Sequence, residues 1–354
     1  MERVRALLDE AVATGVATAA QLAVAIPGRP AWRHAVGSGW PGGPPVDHDT
    51  PFDLASVTKV FTTLAVGHVL GVDLDRPIGD WLPAAAGDRT LRELLGHRSG
   101  LRPWAPWFLA GTPHAVREAV LAERPGPADR RAYSDAGFLL LGWAVEEGAG
   151  ASLDAIATAL VGGLGLRFHP LPGEVPPAPV TGAWRPREPA PGQEGRYTVP
   201  PQVPLLVPGE VDDDNAWALG GVAGHAGLFG AATALAELGA WILEDLHGAG
   251  HLLPADRLAE LVAPDAPALL PVRGLGLDRP AAEGSAAGRH LGRGPLGAIG
   301  HLGFTGTSLW VDLDAGVSIA LCTNRTFPTR ANTEAIRRLR PAVHDAVAEA
   351  LGLA

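Results

Sequence analysis

Phe52-Asp53-Leu54-Ala55-Ser56-Val57-Thr58-Lys59 opens a segment in which apolar residues recur at Val60, Phe61, Leu64, Ala65 and Val69, with His68 on the same side, a spacing that predicts a helix. Positions i and i+3 of a helix share a face, so the Lys59 amine falls within reach of the Ser56 hydroxyl. Lys59 is the only lysine among 28 basic residues; the rest are arginine. A lysine amine, unlike a guanidinium, loses its proton at accessible pH when desolvated or set beside other cations. The apolar flanks make this a buried helix start, a poor place for an idle ammonium. The stretch therefore reads as a serine nucleophile with its base one turn away.

Outward from this segment, 21–26 and 30–36 read as two strands joined by Pro27-Gly28-Arg29, a turn by composition that predicts a hairpin, after an amphipathic helix at the N-terminus. Helices are expected over 90–95, 112–122 and 136–147, the last with Asp135 as a candidate cap, and again over 231–246 and 254–262. Strands are expected near 272–277, 296–300, 308–313 and 317–323, followed by a helix over 330–351. Residues 166–210 are crowded with proline and glycine and have little periodicity, which predicts an irregular excursion. Strands at both ends with helices between give an α/β (α+β) fold: a mixed, mainly antiparallel sheet from residues 1–70 and 265–354, flanked by helices, with a helical lobe inserted over 71–264.

The 354 residues carry a net charge of 28 − 38 = −10 and no basic block, which argues against nucleic-acid and anionic-membrane partners. Hydrophobic residues make up 47% and charged ones 19%, too apolar a balance for a disordered chain. The N-terminus mixes charges with apolar residues and lacks the h-region of a signal peptide, and no window resembles a membrane span, so a cytoplasmic location is expected. Cys322, the only cysteine, lies in the apolar run 317–322 and is expected to be an inert buried strand residue.

The Ser56-Val57-Thr58-Lys59 segment resembles the Ser-x-x-Lys motif of serine β-lactamases and penicillin-binding proteins, most closely the class C-like group that includes esterases. Tyr133-Ser134-Asp135, followed by Ala136-Gly137-Phe138, resembles the group's Tyr-x-Asn element. His301-Leu302-Gly303-Phe304-Thr305-Gly306-Thr307 sits where the group has Lys-Thr-Gly or a His-x-Gly variant on a strand edge. The stretches 95–101 and 220–229 resemble two further signatures, so the likeness runs from about residue 5 to 350. It implies a β-lactamase/transpeptidase-like fold with the site between sheet and lobe, and no cofactor.

The resemblance further implies that Ser56 is acylated, that Lys59 takes its proton, and that the Tyr133 phenol relays protons to the leaving group. It implies an oxyanion hole from the backbone N–H groups of Ser56 and Phe304, after Gly303, worth about 2.7–4 kcal/mol per donor. Two departures bear on substrate. Asp135 stands in place of an asparagine amide and, when ionised, accepts but cannot donate a hydrogen bond, which disfavours β-lactam-type amide recognition. His301 stands in place of a charged lysine and is mostly neutral at pH 7, so uncharged esters or amides fit better than penicillin-like anions. The expected activity is hydrolysis of a small ester or amide, with esterase favoured. The alternatives are a D-alanyl-D-alanine carboxypeptidase or weak β-lactamase, or a catalytically silent binding protein on the same fold. His247 and His251 flank glycines, Asp212–Asn215 reads as a solvated loop or helix cap, and His225 either lines the cleft or packs there, so no metal is assigned.

Overall fold

The computed structural model describes the chain except for residues 72, 84, 86–87, 128–130, 169–177, 180, 182–207, 267–271 and 329. Its elements in chain order are α1 (Glu2–Ala13), β1 (Ala19–Ala25), β2 (Trp32–Gly37), β3 (Phe52–Asp53), α2 (Thr58–Ala65), α3 (Leu91–Leu95), α4 (Pro113–Leu121), α5 (Asp135–Ala149), α6 (Leu153–Val161), β4 (Arg167–Phe168), α7 (Asp214–Ala218), β5 (Leu228–Gly230), α8 (Ala232–Leu246), α9 (Ala255–Val262), β6 (Ala298–Leu302), β7 (Ser308–Asp312), β8 (Val317–Thr323) and α10 (Thr333–Leu351).

A five-stranded antiparallel sheet runs β2-β1-β8-β7-β6, so the N-terminal hairpin is zipped onto the C-terminal strands through β1 and β8. Both faces of β1 and β8 are buried, which is why these strands read as continuous apolar runs. Leu22, Val24, Ile319 and Leu321 pack with Val4 and Leu8 of α1 and Val343 and Val347 of α10. The opposite face is built of Ala19, Ala23, Ala320 and Cys322, which join the core of α8 and the helical region. Those residues are small because α8 lies close: a Cβ at its Gly239 would come within 2.1 Å of Ser318 Oγ. Helix α8, within the stretch expected as lobe, thus packs on the sheet.

Cys322 is buried on β8 as expected, and burial pushes its thiol above the ordinary range. The strand expected over 272–277 does not form. Gly274 and Gly276 break the run, and its amides bond to three different places: Gly274 to Leu277, Leu275 to Leu261 of α9 and Gly276 to Leu95 of α3. Gly276 has φ +69°, and a Cβ there would sit 1.9 Å from Thr63 Oγ1, so this backbone is a close-packed bend against α2. The structure also adds α6, α7 and a small sheet of order β3-β5-β4, which the periodicity did not reveal. Most of 166–210 lies outside the described residues. Among the described residues, no helix is long and apolar enough to cross a membrane.

Candidate active site

The chain leaves β3 through a bend fixed by a buried carboxylate. Asp53 accepts from the Ala55 amide at 2.8 Å and from the Asp212 amide at 2.7 Å. Burial, chiefly, raises its pKa to about 7 against those two hydrogen bonds. Ala55 adopts φ +47°, a left-handed conformation that costs a residue with a Cβ on the order of 1–3 kcal/mol. The bend delivers Ser56 into a short 3-10 turn, Ala55–Val57, that runs into α2. Amides in the first turn of a helix have no intrahelical acceptor, which leaves the Ser56 N–H available to a ligand.

Lys59 lies one turn on and is fully buried. Its Nζ is 3.2 Å from Ser56 Oγ, 3.1 Å from the His225 carbonyl oxygen and 2.8 Å from Asp135 Oδ1, and it lies 4.8 Å from the Tyr133 ring centroid. Burial alone would lower the pKa of this amine, but Asp135 and Tyr133 outweigh burial and raise it. Where the sequence suggests a lysine poised to lose its proton, the pair with Asp135 favours the ammonium form.

Asp135 is free to do this because it is not the helix cap. Ser134 caps α5, accepting from the Gly137 amide at 3.3 Å, while Asp135 sits in the first turn with its carboxylate turned to Lys59. Ser134 is itself fixed from two sides: its hydroxyl donates to the Arg102 carbonyl at 2.8 Å and its amide donates to His97 Nδ1 at 3.0 Å. The buried His97 ring also packs on Tyr133 with centroids 4.6 Å apart. Burial first, then neighbouring cations, hold His97 neutral, well below the usual histidine range, so Nδ1 can accept. His97 thus positions Tyr133, and the Tyr133 hydroxyl interacts with both Lys59 and Ser56.

The third element is the turn after β6. Thr305 Oγ1 donates to the Asp53 carbonyl at 2.7 Å and Thr307 Oγ1 to the Leu54 carbonyl at 3.0 Å, tying this turn to the backbone just before Ser56. Gly303 is required there, since a Cβ would meet Thr307 Oγ1 at 1.9 Å and the Leu54 carbonyl oxygen at 2.5 Å. Ser56, Gly303 and Phe304 line one cavity. His301 is buried, and its Nδ1–H donates to the Leu302 carbonyl at 2.9 Å. Burial lowers its pKa to about 4, with Lys59 and Arg273 adding to the effect and Asp278 opposing it, so it is neutral at pH 7 as expected.

His225 and Asp213 complete the surroundings of Lys59. His225 is buried, and its Nε2 bonds Asp213 Oδ1 at 2.8 Å, while Asp213 caps α7 by accepting from Ala216. Burial opposes ionisation of Asp213, but His225 and the helix amide hold it below the usual carboxylate range. Only the cap was legible in the acidic run. The link to His225 joins residues twelve apart through the fold. Asp135, Asp213 and His225 offer ligand atoms within 4.8 Å of one another. Lys59 already supplies the positive charge at Asp135, and the set fits that ion pair better than a metal. His251 instead pairs with Glu244 and His247 with the Leu243 carbonyl, so the two do not converge on a site.

Comparison with known proteins gives the family. The family model for Beta-lactamase matches residues 4–344. An N-acetylmuramyl-L-alanine amidase of Bacillus subtilis is 30% identical over 314 residues, 78% of this chain and 68% of that protein. A putative D-alanyl-D-alanine carboxypeptidase of Escherichia coli is 30% identical over 217 residues, 51% of this chain, and the match spans about half of that protein's length, 48%. Among solved structures, SurE with D-Leu superposes with a TM-score of 0.68 at 25% identity, covering 98% of this chain and 75% of its own. The chain belongs to the Beta-lactamase family and is a hydrolase of the β-lactamase fold.

Proposed function

We propose that the protein is a serine hydrolase that cleaves a small ester or amide through a Ser56 acyl-enzyme, with esters favoured. The observation that carries this reading is the contact of Lys59 Nζ with Ser56 Oγ at 3.2 Å on a cavity also lined by Gly303 and Phe304. Ser56 Oγ attacks the carbonyl carbon. As its proton passes to Lys59 Nζ, Lys59 hands one to Asp135 Oδ1, so the lysine stays an ammonium and the carboxylate is the terminal acceptor. The carbonyl oxygen becomes an oxyanion between the Ser56 and Phe304 amides. Tyr133 gives its phenolic proton to the leaving group and is reprotonated through Lys59 from Asp135. Water then repeats the sequence on the acyl-enzyme, releasing the acid and restoring Ser56.

Esters are favoured because Asp135 offers no amide donor to an amide substrate and the neutral His301 offers no fixed charge. The names of the two curated relatives support a second reading, hydrolysis of an amide in a muramyl peptide or D-alanyl peptide. A panel of p-nitrophenyl esters, nitrocefin, a D-Ala-D-Ala peptide and a muramyl peptide, compared by kcat/KM, separates the two. The ester reading predicts short-chain aryl esters ahead of nitrocefin and both peptides. A tenfold advantage for nitrocefin or a peptide overturns it.

A further inference from the structure

The His225 side chain has no part in the steps above, yet it is buried beside Lys59. Its ring is 1% exposed, and Nδ1 has no hydrogen-bond partner among the described residues. The one polar tie of the ring is Nε2 to Asp213 Oδ1 at 2.8 Å. Asp213 is held ionised and can only accept, so Nε2–H is the donor. A buried ring with one nitrogen unpaired is costlier than an apolar side chain of similar volume. The neighbours in the turn, Ala223, Gly224, Ala226 and Gly227, are all apolar. Packing alone therefore does not account for a histidine here.

The same residue presents its backbone carbonyl to Lys59 Nζ at 3.1 Å. The other polar neighbours of Nζ are Asp135 Oδ1, Ser56 Oγ and the Tyr133 hydroxyl. Each of those three carries a proton at some stage of the proposed mechanism, whereas the carbonyl never does. One of the three N–H groups of the ammonium therefore stays on the carbonyl, and the exchanged proton is confined to the other directions. The turn that bears this carbonyl is tied to α2 on both sides: Thr62 Oγ1 donates to the Gly224 carbonyl at 2.7 Å, and the Leu228 amide donates to Thr58 Oγ1 at 3.1 Å. The peptide between them is held less firmly, since the Ala226 amide reaches the Ala223 carbonyl only at 3.4 Å. The imidazole is the side-chain anchor of that peptide.

The acceptor of the ring is itself fixed. Asp213 Oδ1 also caps α7, accepting from the Ala216 amide at 2.8 Å. Asn215 of α7 accepts from the Phe108 amide and donates to the Ala105 carbonyl, and Pro103 of the same loop accepts from the Asp135 amide. The carbonyl and the carboxylate that hold Lys59 are thus both referred to one short helix.

We infer that Asp213 and His225 are positioning residues for Lys59: the imidazole, anchored on Asp213, fixes the carbonyl that retains one Nζ–H and so directs the others to Ser56, Tyr133 and Asp135. The inference rests on the reading of Ser56 and Lys59 as nucleophile and relay.

The test uses the fact that Lys59 is the only lysine in the chain, so lysine isotopically labelled at Cε gives the NMR signal of this side chain alone. The two hydrogens on Cε have separate signals while the side chain is locked and merge when it swings. They are expected to be separate in the wild type. They are expected to merge in His225→Phe, which keeps an aromatic ring without the bond, and in Asp213→Ser, which keeps a helix cap but is too short to reach the ring. In both variants kcat for p-nitrophenyl acetate is expected to fall by about tenfold or more, with KM changed by less than about twofold. His225→Gln, whose Nε2 can stand in for the ring Nε2, is expected to recover part of the loss and the separate signals. Because both substitutions break one bond, the double variant is expected to be no slower than the slower single variant. Separate signals in folded His225→Phe or Asp213→Ser protein overturn the inference, as do merged signals in the wild type or losses that add in the double variant. Ser56→Ala is assayed beside them: ester turnover that survives there contradicts the proposed function, while the Cε signals still decide this inference.

Discussion

In the proposed mechanism Lys59 holds a proton and passes one on, and Asp135 governs both. Lys59→Arg keeps the positive charge, but a guanidinium with pKa above about 12 cannot relay, so kcat/KM is expected to fall by at least about 10²-fold with the fold intact. A folded Lys59→Arg enzyme with more than about a tenth of wild-type activity would remove Lys59 from the mechanism. Asp135→Asn tests the ion pair by a different readout. In the wild type the pair lifts the folded-state pKa of Lys59 above the free value of 10.5, so its contribution is present below that pH and is lost only as pH rises through the lifted value. With asparagine, Tyr133 is left to oppose burial, the largest single influence, so the folded state is expected to bind the proton less well than the unfolded chain and stability to rise with pH instead. Breaking a buried pair costs about 3–5 kcal/mol, and the lower end applies here because Asp135 is partly exposed. Melting temperatures taken from pH 7 to 10 are therefore expected to climb in Asp135→Asn relative to wild type, and parallel profiles would show that Asp135 does not hold the ammonium. That the serine and the lysine meet was legible from their spacing. The resting charge of the lysine was not, because it depends on a carboxylate 76 positions away in the chain that only the fold brings to 2.8 Å.

Among the elements, the turn after β6 makes the sharpest demand on sequence. Gly303 lets this turn approach Leu54, and Thr305 and Thr307 fasten it there. Gly303→Ala is expected to push the turn, and with it the Phe304 amide, away from Ser56. Loss of one oxyanion donor lowers kcat by about 10²–10³-fold, and KM should change far less. A Gly303→Ala enzyme with wild-type kcat would dissociate the Phe304 amide from the chemistry. Regular elements were readable where the pattern is unbroken, β1 and β8 as continuous apolar runs and α10 by its helical period. The segment 272–277 misled because its apolar residues serve a bend: Leu275 and Leu277 are buried, while Gly274 and Gly276 bend the backbone between them. Asp135 was misplaced as a cap because Ser134 and Asp135 are both good capping residues, and the choice was made by the His97 and Arg102 contacts to Ser134.

Over the whole molecule, the sheet that carries the β6 turn is assembled from both ends of the chain, and Asn324 just after β8 locks the two together. Its Oδ1 accepts from the Thr18 and Ala19 amides at 3.1 and 3.0 Å, and its Nδ2 donates to Thr18 Oγ1 and the Gly39 carbonyl. Asn324→Ala leaves buried backbone groups unpaired at about 1–3 kcal/mol each before relaxation, so a loss of about 2–4 kcal/mol in chemical denaturation is expected. A loss below about 0.5 kcal/mol would show that the junction of the termini does not depend on this side chain. The sheet from both termini was legible in the order of strands and helices. The place of α8 against it was not, since the helical period of 232–246 says which face is apolar without saying what it covers.

The central claim is that Ser56 is the acylated nucleophile. The most direct measurement is mass spectrometry of the protein after reaction with a fluorophosphonate, with the adduct located by peptide mapping. The expected result is a single adduct on Ser56, absent from Ser56→Ala protein, formed in step with the loss of ester hydrolysis and slowed in Lys59→Arg. An enzyme that hydrolyses esters yet carries no adduct at Ser56, or keeps its turnover as Ser56→Ala, would contradict it.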